Sequence, residues 1–150
     1  MTASGLPRQF ALIMQELLPD GAPLAGIAVA VSGGSDSMAL ALLSAQWTAK
    51  TGIPLFALSV DHGLRPEAGA EAAEVARVCE ALGVPHAILP VDVAPGNLQA
   101  EARMARYAAL AEWVEERGLA ALATAHQADD QAETLLMRLN RASGVAGLAG

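Results

Sequence analysis

The chain has 150 residues, just over half of them hydrophobic, and a net charge of −7. That length suits one domain with a buried core, and the acidic balance denies this segment the counterion release that drives nucleic-acid binding. A lone cysteine, Cys79, excludes a disulfide framework and a cysteine-rich metal site, and is expected to be inert packing.

In chain order, residues 6–18 read as a short amphipathic helix, within an N-terminal lead-in of residues 1–24. Residues 25–31 are a continuous apolar run suited to a buried strand, and a helix follows over 37–50, closed by Gly52. A strand over 53–60 leads to a helix over 67–82 and Gly83. Residues 84–91 form a third strand, weakened by Pro85 and Pro90, with His86 in a structural role. A long helix over 98–117 ends at Gly118, a fourth strand spans 119–125, and a last helix covers 127–141. Glycine just past a helix supplies the left-handed residue that ends it. Strands apolar on both faces, alternating with helices, predict an α/β fold: a doubly wound parallel sheet with helices on both faces, over residues 25–150. The longest apolar run, residues 24–31, is far too short to span a membrane. No basic flank and apolar stretch mark a signal peptide, so a cytoplasmic setting without a membrane partner is expected.

The segment with the clearest chemistry is Ser32-Gly33-Gly34-Ser35-Asp36-Ser37, between the first strand and its helix. Two glycines let the backbone turn sharply and approach a ligand. The amides of the turn and of the helix N-terminus then face an anion, aided by the helix dipole. Ser32, Ser35 and Ser37 add hydroxyls. Asp36 would repel a polyphosphate unless it held Mg²⁺ through oxygen. A plain strand–helix turn with a serine cap is the competing reading. The Gly-Lys-Ser/Thr ending of the kinase-type loop is missing.

The hexapeptide resembles the SGGxDS loop of the PP-loop ATP pyrophosphatases, an adenine nucleotide alpha hydrolase-like fold. That resemblance implies ATP cleavage between the α- and β-phosphates. Two further segments at strand ends narrow it: Val60-Asp61-His62-Gly63-Leu64-Arg65, and Ala125-His126-Gln127-Ala128-Asp129-Asp130-Gln131-Ala132-Glu133-Thr134. With the loop, and with Arg141-Ala142-Ser143-Gly144-Val145-Ala146-Gly147-Leu148, they resemble the tRNA(Ile) lysidine synthetases over residues 25–150. Gln127 stands where that family usually has a second histidine, and Ala142 where it has glycine. Family members continue into C-terminal tRNA-binding domains, so the chain is expected to be truncated before them.

The resemblance implies ATP and Mg²⁺ as cofactors, with free L-lysine and a tRNA(Ile) bearing a CAU anticodon as partners. The carbonyl oxygen at C2 of the first anticodon cytidine is adenylated. The side-chain amine of lysine then displaces AMP. By position, Asp36, Arg106, Asp130 and Glu133 are the expected catalytic residues, Asp36 and Asp130 the metal ligands, and Asp61, His62 and His126 contacts to nucleotide or substrate, with the loop itself. On the last expected helix, Asp129, Asp130 and Glu133 share a flank beside an apolar stripe of Ala132, Leu135, Leu136 and Leu139. Acids in a first turn can also simply complement the dipole. Arg103 and Arg106 lie roughly 60° apart on their helix, and Arg106 matches the family's arginine better. Arg138 and Arg141 are either RNA contacts or surface charges. Another PP-loop enzyme, of thiolation or amidotransferase type, and a non-catalytic nucleotide-binding module stay open, as does oligomeric state, a homodimer included.

Overall fold

The computed structural model describes residues 5–18, 24–61, 68–92, 98–128 and 131–138, with backbone alone at 68–69, 98–99, 126–128 and 131–138. Among them, α1 is Gly5–Leu17, β1 Ile27–Ala30, α2 Ser35–Thr51, β2 Leu55–Asp61 and α3 Ala68–Leu82. β3 is His86–Pro90, α4 Leu98–Glu116, β4 Ala121–Ala128 and β5 Gln131–Arg138. The strands lie in the order β3-β2-β1-β4-β5. β1 to β4 are parallel, and β5 pairs antiparallel with β4 at the edge.

β1 is central, and all four of its residues are buried. Because side chains alternate across a strand, its residues divide between two cores. Ile27 and Val29 join Leu55, Ala57, Ala121 and Ala123 on one face, under Met14 of α1, Trp47 of α2 and Val75 of α3. Ala28 and Ala30 join Leu58 and Leu122 on the other, under Leu110 and Val114 of α4. The helices thus cover both faces, as the alternating apolar runs predict. The scarce aromatics tie helices to the layers: Phe10 meets Trp47 edge-on at 6.5 Å, and Phe56 meets Trp113 at 5.6 Å.

The prolines of the third strand have a positional reason. β3 is the outer parallel strand, where a missing amide costs least. Gly52, Gly83 and Gly118 end their helices at φ values of 76°, 71° and 62°, each a left-handed residue as expected.

The last element departs from expectation. Residues 131–138 form a strand rather than part of a helix over 127–141. Ala128 pairs with Gln131, and the ladder runs back to Ala121 opposite Arg138. A short apolar run such as Leu135-Leu136-Met137 fits either period. Pairing supplies partners for the backbone groups of β4, which would otherwise form an open edge.

Gly26, just before β1, is the most crowded of the described glycines. At φ +145°, a Cβ there would stand 2.8 Å from the Pro54 carbonyl oxygen. Its own carbonyl accepts the Ala120 amide at 2.9 Å, so the residue links the β1 and β4 entries. Gly26→Ala is expected to cost about 2 kcal/mol from the backbone strain alone, lowering the melting temperature by roughly 4–8 °C. Calorimetry showing a melting temperature unchanged to about one degree would contradict this.

Candidate functional site

The parallel strands wind outward from β1 through α2 and α3 on one face, then return through α4 on the other. The winding reverses between β1 and β4. At such a reversal the loops leaving two adjacent carboxyl ends splay apart and open a crevice. The Ser32–Ser37 loop leaves β1 there, and β4, its neighbour, ends at residues 126–128.

The loop is organised by its own hydroxyls. Ser37 is 4% exposed, and its hydroxyl donates to the Gly34 carbonyl at 3.0 Å. That spends its one proton, so the Ser32 hydroxyl, 3.1 Å away, donates to it. The Ser32 amide also donates to the Ser37 oxygen, at 3.1 Å, and the Gly34 amide makes a long contact of 3.5 Å to the Ser32 hydroxyl. The result is a closed ring around Gly33. Ser37 was expected to offer its hydroxyl to a ligand; here that proton serves the loop.

Gly33 sits at φ +93°, which a side chain would strain although there is room for a Cβ 3.7 Å from Val75. Gly34 caps α2 from extended backbone without a side-chain cap bond. The first amides of any helix lack carbonyl partners within it. With Ser32 to Ser35 exposed, the end of α2 presents amides and dipole to solvent at the crevice. An anion with several oxygens fits this cradle. Asp36 lies in the first turn of α2, beside it.

The other expected residues are distributed unevenly. Asp61 ends β2 and is exposed, with its carbonyl accepting the Val91 amide at 2.9 Å. His62 and Asp130 lie outside the described residues, as do Asp129 and Arg141. The backbones of His126 and Glu133 stand opposite each other in the β4–β5 register. Glu133 is therefore on a strand, not one helical turn from Asp130 on a shared flank.

Arg106 lies one turn before Leu110 on α4, on the helix face that covers the sheet. It is half-buried, and burial followed by the nearby Arg103 charge pushes its guanidinium below the usual range. Among the described residues no carboxylate pairs with it. A half-buried cation without a counter-charge favours an anionic ligand. Arg103 turns away over the Tyr107 ring, at 5.6 Å.

Three groups were not singled out for the site from sequence. Ser59 in β2 donates to the Val31 carbonyl at 2.7 Å and contacts His86 at 2.8 Å. Thr124 in β4 is fully buried, and among the described residues its hydroxyl has no hydrogen-bond partner. A serine or threonine inside an apolar strand run was the available signal. Cys79 is buried as expected, and burial pushes its thiol up. Among the described residues, no group of three or more His, Cys, Asp or Glu could hold a metal unaided. Asp36 would need ligand oxygens and water to complete a coordination shell for Mg²⁺.

Known proteins bear on this geometry. The family model of the PP-loop domain matches residues 6–150. A tRNA(Ile)-lysidine synthase of Zymomonas mobilis is 53% identical over 130 residues, covering 85% of this chain and 38% of that protein. One from Novosphingobium aromaticivorans is 49% identical over 148 residues, covering 98% of this chain and 43% of its own length. The chain thus spans less than half the length of these relatives. Among solved structures, the U34-tRNA thiolase NcsA of Methanococcus maripaludis superposes with a TM-score of 0.65 at 18% identity, covering 81% of this chain and 46% of that one. The NH3-dependent NAD synthetase of Campylobacter jejuni gives 0.62 at 17%, over 81% and 56%. At such identities the two share the fold.

Opening the hydroxyl ring isolates its contribution. Ser37→Ala removes the hub of the ring, and each lost hydrogen bond is worth about 1 kcal/mol. ATP affinity measured by titration calorimetry is expected to fall roughly tenfold, with the melting temperature lowered by a few degrees because Ser37 is buried. Unaltered affinity would mean that the glycines hold the loop without it.

Proposed function

The chain belongs to the PP-loop domain family, and on that premise we propose that it is the ATP-cleaving part of an enzyme that attaches lysine to C2 of the wobble cytidine of a tRNA(Ile) with a CAU anticodon. The observation that carries the reading is the ringed Ser32–Ser37 loop, opening onto the N-terminus of α2 at the β1/β4 crevice. Relatives about half identical over most of the chain, carrying the name tRNA(Ile)-lysidine synthase, support this choice of substrate. A cytoplasmic setting suits such a substrate. No described helix is long and apolar enough to cross a membrane.

In this reading the loop amides hold the β- and γ-phosphates of ATP. Asp36 and Asp130 would hold Mg²⁺, which would supply positive charge to the departing pyrophosphate. The C2 carbonyl oxygen of cytidine attacks the α-phosphorus, and the bond to the bridging oxygen of pyrophosphate breaks. Arg106, a cation without a carboxylate partner among the described residues, stabilises the charge that develops on phosphate. The side-chain amine of lysine then forms a bond to C2, AMP leaves with the C2 oxygen, and the amine gives its proton to a nearby carboxylate. Glu133, opposite His126 in the strand register, receives the lysine ammonium, and Asp61, His62 and His126 contact nucleotide or base.

The thiolase is a structural neighbour, but the single cysteine here does not favour sulfur chemistry. Cys79, on α3, is buried in the core, and its raised pKa keeps it a thiol rather than the reactive thiolate.

The full-length protein incubated with ATP, lysine and the tRNA transcript should yield RNA heavier by one lysine less one water. RNA of unchanged mass, or RNA carrying sulfur for oxygen, would contradict the reading. Asp36→Asn should lower pyrophosphate release by on the order of a hundredfold or more, and near-normal release at ordinary Mg²⁺ would remove Asp36 from the metal. Glu133→Gln should raise the lysine KM roughly 10–100-fold, the value of one charged hydrogen bond, and leave adenylation intact. Failure of adenylation, partly restored by added Mg²⁺, would instead make Glu133 a metal ligand.

A further inference from the structure

The peptide unit that launches the phosphate loop is gripped at both ends. Its N–H, on Ser32, donates to the Ser37 oxygen at 3.1 Å. Its carbonyl, on Val31, lies one residue past β1. The Val31 amide still bonds to the Leu58 carbonyl at 2.8 Å, but its carbonyl takes the Ser59 hydroxyl at 2.7 Å. Ser59 has one proton, and Val31 has it. The contact of 2.8 Å between Ser59 Oγ and His86 Nε2 must therefore be donated by the imidazole. This assigns the Nε2–H tautomer to His86 and makes a directed chain from His86 through Ser59 to Val31.

We propose that His86 and Ser59 are positioning residues for ATP: by fixing the plane of the Val31–Ser32 peptide they set the direction in which Gly33 and Gly34 leave the sheet, and so aim the loop amides at the phosphates. The proposal rests on the ATP-binding reading above. Three features separate it from ordinary core filling. Ser59 is buried in an otherwise apolar strand run, where alanine or valine would pack without a polar group to satisfy. The acceptor is the residue adjoining the loop. Hydrogen bonds in series polarise one another, so the imidazole strengthens the grip of a serine it touches although it never reaches the loop itself. Burial pushes the His86 pKa below its ordinary value, which keeps the ring neutral with a single, directed N–H.

The full-length protein serves for the test, with ATP as the probe. His86→Leu removes the donor. His86→Gln returns one near the Nε2 position. Losing the donor should weaken ATP binding in calorimetry by about fivefold to tenfold, the worth of one buried hydrogen bond, and the glutamine should restore most of it. Ser59→Ala should weaken binding at least as much. A purely structural histidine would instead lower the melting temperature of both variants and leave their ATP affinity alike. In the wild type, nitrogen-15 spectra of the histidine rings should report Nε2–H for His86, with a shift on adding ATP. That measurement decides even where a variant fails to fold. ATP affinity in His86→Leu within about twofold of wild type, the Nδ1–H tautomer, or a His86 ring indifferent to ATP would each overturn the proposal and leave the ATP-binding reading standing. A wild-type protein that binds no ATP would overturn both.

Discussion

A right-handed crossover between parallel strands can lay its helix on only one face of the sheet for a given direction of winding. This chain winds from β1 to β3 in one direction and returns to β4 in the other. α2 and α3 therefore lie on one face and α4 on the opposite one. The reversal leaves β1 and β4 side by side, the point at which open α/β sheets bind ligands. Composition suits this arrangement. Ala28, Ala30, Ala121 and Ala123 are buried on the two central strands. The buried side of α2 mixes small residues, Ala41, Ser44 and Thr48, with the larger Leu40 and Trp47.

From that placement the chemistry of the loop follows by short steps. The chain must leave a buried strand and enter a helix within a few residues, and Gly33 takes the positive φ that the turn requires. Ser37, the first buried residue of α2, reaches back to close the ring. From the strand side, Ser59 holds the Val31 carbonyl. Rigidity here lowers the cost of binding, because amides already aimed at a polyanion need little reorganisation when it arrives. Asp36 lies in the same first turn, which is why the proposed function gives it the cation that would offset its charge against phosphate.

Much of this was legible in the residues. Apolar runs located all four parallel strands, and glycines marked three helix ends. The hexapeptide between β1 and α2 located the anion cradle. Three points escaped. The period over 127–141 suits a helix, yet 131–138 pair with β4 as a strand. Local spacing does not carry information about a backbone edge left open elsewhere in the chain. The loop serines read as ligand donors, but only their mutual distances reveal that Ser37 has no proton to spare. His86 and Ser59 stand 27 residues apart in sequence, and nothing in either neighbourhood signals that they meet beneath the loop.

The central claim is that the cradle at the β1/β4 crevice directs cleavage of ATP to the bond between its α- and β-phosphates. Phosphorus-31 magnetic resonance of ATP turned over by the full-length protein, with lysine and the tRNA present, tests this most directly. The account predicts AMP and pyrophosphate in equal amounts, growing together. ADP and inorganic phosphate as the primary products would contradict it.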